Sequence, residues 1–379
     1  MNAMVRPLYC PALRMKAGEL QGLRALAADI ADCTLPRMIV PPPKERDDSL
    51  QAALFETEAF PDVSVPLAAS WHGREVLVEP TYIMDEFGRD RISRWLPRMF
   101  ERARTANVQA TPLVRLADFL DLGTSTFLST VDHRSRLKFS IAVSSGDLDD
   151  IEALRSATGI LEQLGLSEQD CAIVVDFHDA DLTDHTLVSP VISGALEAIQ
   201  AVAPWRHIVF QGTNFPEKNP AEPGSYSMVP RNEWLAWRDA VSFDPETADY
   251  LMFGDYAADC AKISFGGSGG RAICHYRYTV AEGWLVQRAV DTGRNEDRMR
   301  TVCTGILESG HFAGRDFSSA DEYIYNTAHR RAGPGTAMDW RAINTTHHIT
   351  RVVKDVGAVR GRRFAERAVA PHLVQTELF

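Results

Sequence analysis

The chain has 379 residues, 45% of them hydrophobic and 24% charged, the balance of a soluble globular protein long enough to bury a substantial core. A net charge of −11 argues against a protein that coats nucleic acid over its whole surface. No window approaches the run of about 18 apolar residues that a membrane-spanning helix needs.

Six cysteines, at 10, 33, 171, 260, 274 and 303, show neither a Cys-x-x-Cys pair nor zinc-site spacing, a usage that fits a reducing compartment. The first ten residues hold no apolar core of signal-peptide length, so the expected location is cytoplasmic. Of the 40 basic residues 6 are Lys and the rest Arg. Arg suits bidentate phosphate contacts, though a GC-rich coding sequence is the simpler source of the bias.

Eight short apolar runs, at 8–14, 36–40, 75–79, 110–116, 137–143, 171–176, 205–211 and 249–255, alternate with amphipathic helical stretches or polar loops. They predict a (β/α)8 TIM-barrel-like α/β fold over residues 1–265, with an α+β appendage over 266–379 packed on the barrel mouth. The first helix carries Leu20, Leu23, Leu26 and Ile30 on one face. Three prolines, 41–43, end the second strand, and 44–74 reads as an irregular connection. Asp147 is expected to open the helix after the fifth strand, with Gly165 as its C-terminal cap. Asp184 is expected to cap the next helix. The stretch 212–230, with four prolines and two glycines, reads as a long loop over the C-terminal face.

In the tail, 272–279 and 284–288 read as a β-hairpin. Helical patterns follow at 294–309, 318–330 and 344–356, the last stopped by Gly357. Residues 330–367 carry nine Arg or Lys against three acids, so the tail is basic while the whole chain is acidic. The glycine run 266–270 lacks the Lys-Ser/Thr of a phosphate-binding loop and reads as a linker.

In a (β/α)8 barrel the chemistry collects at the C-terminal ends of the strands. Here those ends carry Arg14, Lys16, Glu79, Arg115, Asp176, His178, Gln211 and Asp255. Acids and a histidine among cations suit a phosphoester or a divalent metal, and leave the metal open. Asp176 and His178, two apart, face the same way if the strand continues. Lys16 and Glu19 neighbour each other on the first helical turn, as an anion site or as a simple surface pair. Adjacent His347 and His348 cannot share one helical face, so at most one is expected to join a site. Gly-x-Ser-x-Gly, His-Glu-x-x-His and Gly-x-Gly-x-x-Gly motifs are absent.

Several of these segments, in order, resemble the phage and bacterial beta protein family. They are Tyr9-x-Pro11, Lys16-x-Gly18-Glu19, Ile39 to Pro43, Phe253-Gly254-Asp255-Tyr256, Arg277-Tyr278-Thr279 with Trp284, Phe317-Ser318 with Asp321-x-Tyr323, and Trp340-Arg341 with His347-His348. Glu79-Pro80-Thr81-Tyr82 departs from the Asp-containing end expected there. The resemblance implies a phage, prophage or defence context. It also implies a shared site of Lys16, Glu19, Asp255, Arg277, Trp340, Arg341 and His348, with the tail folded over the bowl.

Taken together, Lys16, Glu19, Asp176, His178, Asp255 and His348 are the expected catalytic groups. Arg14, Arg115, Gln211, Arg277, Trp340 and Arg341 are the expected substrate contacts. Two functions stand ahead of a third, nucleic-acid binding through Arg360-Gly361-Arg362-Arg363, which the overall acidity disfavours. One is an enzyme acting on a phosphorylated or nucleotide-like small molecule; the other is a non-catalytic scaffold for a phage or host protein partner. Convergence of the named residues on one cavity separates the two.

Overall fold

Eight parallel strands close into a barrel in the computed structural model, which describes residues 6–42, 62–178, 180–243, 246, 250–263 and 272–367. The barrel order is β1 (Tyr9–Arg14), β2 (Arg37–Ile39), β3 (Glu75–Glu79), β4 (Gln109–Arg115), β5 (Phe139–Ser144), β6 (Cys171–Asp176), β7 (His207–Gln211) and β9 (Leu251–Asp255). Alternate residues divide between two environments. Cys10, Leu77, Leu113, Val174, Val209 and Met252 fill the lumen. Tyr9, Val78, Val114, Val175, Phe210 and Phe253 face the helices. Strands apolar on both faces are what a helix-covered parallel sheet requires.

Helices follow the strands in turn: α1 (Ala17–Arg24), α2 (Ser64–Trp71), α3 (Ile92–Thr105), α4 (Leu116–Leu122), α5 (Ile151–Gln163), α6 (His185–Val202) and α7 (Asn232–Phe243). Asp184 caps α6 by accepting from the Thr186 amide, and Gly165 follows α5 at φ 71°. The expected opening by Asp147 shifts by three residues. Asp147 accepts from Ser144 within a 3-10 turn, Gly146–Asp149, while Asp150 accepts from Ala153 N and caps α5. The connection after β2 contains α2; residues 44–61, Asp179, the glycine run 266–270 and the first residue of the run 249–255 lie outside the described residues.

Two expectations in the second half need correction. The 212–230 stretch ends in a strand, β8 (Tyr226–Pro230), antiparallel to β11 (Gly283–Arg288), which also pairs with β10 (His275–Thr279). The barrel therefore lends an edge strand to the appendage sheet. Helices α8 (Asn295–Glu308) and α9 (Ser319–Ala328) cover that sheet. The last helix, α10 (Ala337–Val359), is longer than the 344–356 pattern. A capping box of Thr336 and Asp339 starts it. Gly357 lies within it instead of stopping it, because the Phe364 ring folds back against the bare Cα.

α10 sits between two cores. Trp340 and Ile343 pack into the appendage core with Tyr276, Met299 and Ile324. Ile349, Val352, Val353 and Val356 belong to the barrel core, where α10 takes the place of an eighth barrel helix. It lies tight against α1. A Cβ on Gly18 would stand 2.8 Å from Arg341 Cβ, and one on Gly22 2.7 Å from Thr345 Cβ. Those two glycines bring Arg341 to the barrel rim. Among the described residues no helix is long and apolar enough to cross a membrane.

Candidate functional site at the barrel mouth

Three guanidinium groups meet one carboxylate at the rim. Asp259, four residues beyond β9, accepts from Arg14 of β1 and from Arg341 of α10 on one oxygen. Its other oxygen accepts from Arg277 of β10 at 2.6 Å. Arg277 also donates to Ala258 O at 2.9 Å and lies over the Phe215 ring at 4.6 Å. Glu19, buried in the first turn of α1 where the helix dipole favours an acid, adds a second carboxylate 3.9 Å from Arg14. Three cations thus face two anions. Burial, and next the neighbouring Arg341, lower the pKa of Arg14 and bring that of Arg277 down to about 9. A cavity of about 10 Å³, room for one water, is lined by Arg14, Glu19, Asp259, Arg341, Tyr256 and Thr345.

Tyr256 connects this rim to the floor of the bowl. Its hydroxyl donates to Asp176 at 2.7 Å, and burial followed by that carboxylate raises its pKa well above the usual phenol value. Arg37, which points into the lumen from β2, donates to Glu79 at 2.9 Å, to Asp176 at 2.6 Å and to Gln211 at 3.4 Å. Burial opposes its charge, but Glu79 and Asp176 outweigh that and hold its pKa well above the ordinary value. The second Glu79 oxygen is buried without a hydrogen-bond partner, 3.9 Å from the half-exposed Arg115, whose guanidinium lies over Tyr82. His178 sits at the mouth with Nδ1 3.8 Å from Asp176, beyond hydrogen-bond range.

Asp255 does not join this bowl. It shares the parity of Leu251 and Phe253, so it points outward, under α10. There it accepts from the Tyr9 hydroxyl, from the Ala257 amide at 2.8 Å and from His348 Nε2 at 2.9 Å, all sealed from solvent. Burial works against the Asp255 charge, but His348 and Tyr9 lower its pKa; burial lowers that of His348, with Asp255 opposing. Thr279 holds the other His348 nitrogen at 2.8 Å. His347 turns the opposite way, to Asp321 and Thr279 O in the appendage.

The sequence-named residues therefore fall into groups. Arg14, Arg277 and Arg341 gather on Asp259, with Glu19 beside Arg14 and Lys16 partly exposed at the start of α1. Asp176, Gln211, Arg115 and His178 surround Arg37 and Glu79. Asp255 and His348 are packed behind the barrel wall, and Trp340 donates to Pro334 O from the appendage core. Asp259, Arg37 and Tyr256 were not foreseen. Arg37 carried a signal as a lone charge inside an apolar run, and Tyr256 as the last residue of the Phe253-Gly254-Asp255-Tyr256 motif. Among the described residues no group of three or more His, Cys, Asp or Glu is placed to hold a metal ion.

No curated protein and no solved structure matches the chain. A model of the Beta protein family matches residues 9–354, nearly the whole length over which the strands, appendage and α10 have been described. The chain is a member of the Beta protein family.

Proposed function

We propose that the protein binds a phosphorylated, nucleotide-like small molecule at the C-terminal face of its barrel and acts on it there as an enzyme. The observation that carries this reading is the convergence of Arg14, Arg277 and Arg341 on a single carboxylate at the rim. Guanidinium groups hold phosphate oxygens through paired, charge-assisted hydrogen bonds. The unpartnered Glu79 oxygen, Asp176 and His178 lie toward the floor and mouth of the same bowl, where the rest of the ligand would rest. Carboxylates and an imidazole in that position suit proton transfer. The phage, prophage or defence setting we attach to this activity rests on the sequence resemblance, and the cytoplasmic one on six free cysteines.

The test is a thermal-shift and calorimetric screen of inorganic phosphate, nucleoside phosphates and the matching uncharged nucleosides. A ligand of the native state raises the melting temperature by mass action. Phosphorylated compounds should shift it and uncharged ones should not. Arg341→Met should weaken phosphate binding about 10- to 100-fold, the value of one hydrogen bond to a charged group. If no phosphorylated compound shifts the melting temperature, or the variant binds as well as the native chain, the reading fails.

A further inference from the structure

Resting on that anion-site reading, we propose that Asp259 is an internal plug: its carboxylate occupies the place of the ligand's phosphate and withdraws when the ligand binds. The space decides between joint occupancy and exchange. With Asp259 in place the cavity holds about one water, and a tetrahedral phosphate does not fit beside the carboxylate. Both Asp259 oxygens are engaged by the same three guanidinium groups that a phosphate would need. Charge agrees with exchange. Without Asp259, the cations Arg14, Arg277 and Arg341 against Glu19 leave a charge of about +2, which a phosphate monoester of about −1.5 to −2 nearly neutralises.

The backbone that carries Asp259 is strained. Ala257 and Ala258 have φ of 50° and 58°, two successive non-glycine residues in the left-handed region, where a Cβ crowds the following carbonyl. Ala257 packs in the barrel core and Ala258 against Phe215 and Trp284, and a few hydrogen bonds hold the turn. The Ala257 amide donates to Asp255, Arg277 donates to Ala258 O, and Thr213 donates to Asp259 O at 3.2 Å. Withdrawal of Asp259 from the arginines would let both alanines relax toward an ordinary φ. The apo chain is then a self-blocked form of its own site.

Calorimetry with inorganic phosphate on the full chain tests this, comparing the native protein with Asp259→Asn, which keeps the shape and removes the charge. The plug predicts at least tenfold tighter phosphate binding by the variant. Weaker or equal binding, with the native chain still binding, overturns the plug and leaves the anion site standing with Asp259 as a docking contact. No binding by either protein removes the anion site and the plug together. Should the variant fail to fold, hydrogen exchange on the native chain gives the same answer. The plug predicts faster exchange of the 256–263 amides when phosphate is bound, and slower exchange there contradicts it.

Discussion

Tyr9, Asp255 and His348 form a hydrogen-bonded group with no solvent contact, and removing one donor measures what it contributes. Tyr9→Phe leaves the buried Asp255 charge one bond short, which should cost about 1–3 kcal/mol of unfolding free energy in urea. Phosphate affinity at the rim should stay the same, since Tyr9 faces outward; a matching loss of binding would show that this group belongs to the site. The strand-end rule found Asp255 but not its direction. Every other residue of its strand is apolar or glycine, and a strand buried on both faces does not reveal which face is the lumen. Asp259 was hidden for another reason: it lies past the end of β9, where no periodicity sets where a side chain points. Arg37 was legible only as an oddity, a charge in a three-residue strand that proves to be the hub of the bowl floor.

Glycine shows at the level of elements how one substitution changes sign with its surroundings. In a free helix Gly→Ala stabilises by roughly 0.5–1 kcal/mol. Gly159 in α5 has open space where a Cβ would go, so Gly159→Ala should gain about that much. Gly22 in α1 faces Thr345 Cβ at 2.7 Å and Ala342 O at 2.9 Å across the α1–α10 contact. Gly22→Ala should therefore destabilise by about 1–3 kcal/mol, the usual cost of overpacking. Denaturant midpoints that move in the same direction would show that α10 gives way more easily than this packing implies. The strands were readable because each is a short apolar run bounded by polar residues or proline, and β3 and β6 fall at the expected residues. β8 was not, because Tyr226 and Met228 are exposed on an edge strand, which therefore lacks an apolar stripe. The start of α10 carried a readable mark in Thr336-x-x-Asp339, while Gly357 misled because its reason is a tertiary contact.

For the whole molecule, the barrel and the appendage share α10, so their unfolding is tied through one helix and through the polar groups around it. An amphipathic pattern tells that a helix has a buried face but not which core it buries into, which is why the tail read as an addition. One consequence is the pH profile of stability. His207 is buried at the start of β7; burial, then Arg6 and Arg206, bring its pKa down to about 3, against about 6.5 when unfolded. That depressed value means stability present above pH 6.5 and lost as the pH falls toward 3. Glu233, wholly buried with one oxygen on the Asn214 amide and the other unpartnered, has its pKa raised to about 8 by burial. That raised value means stability fully present below the unfolded value of about 4.5 and lost as the pH rises through 8. The two oppose each other between about pH 4.5 and 6.5, and above that Glu233 acts without His207, at no more than about 1.4 kcal/mol per pH unit. The melting temperature should rise to about pH 4.5, stay level to about pH 6.5 and decline from there to about pH 8. Glu233→Gln keeps the acceptor for the Asn214 amide and removes the titration, so it should flatten the alkaline decline and uncover the His207 rise between about pH 4.5 and 6.5. A native melting curve that is level from pH 6.5 to 9, or a variant that declines as steeply, would show that Glu233 is already ionised in the fold and that Arg231, 4.0 Å away, neutralises it.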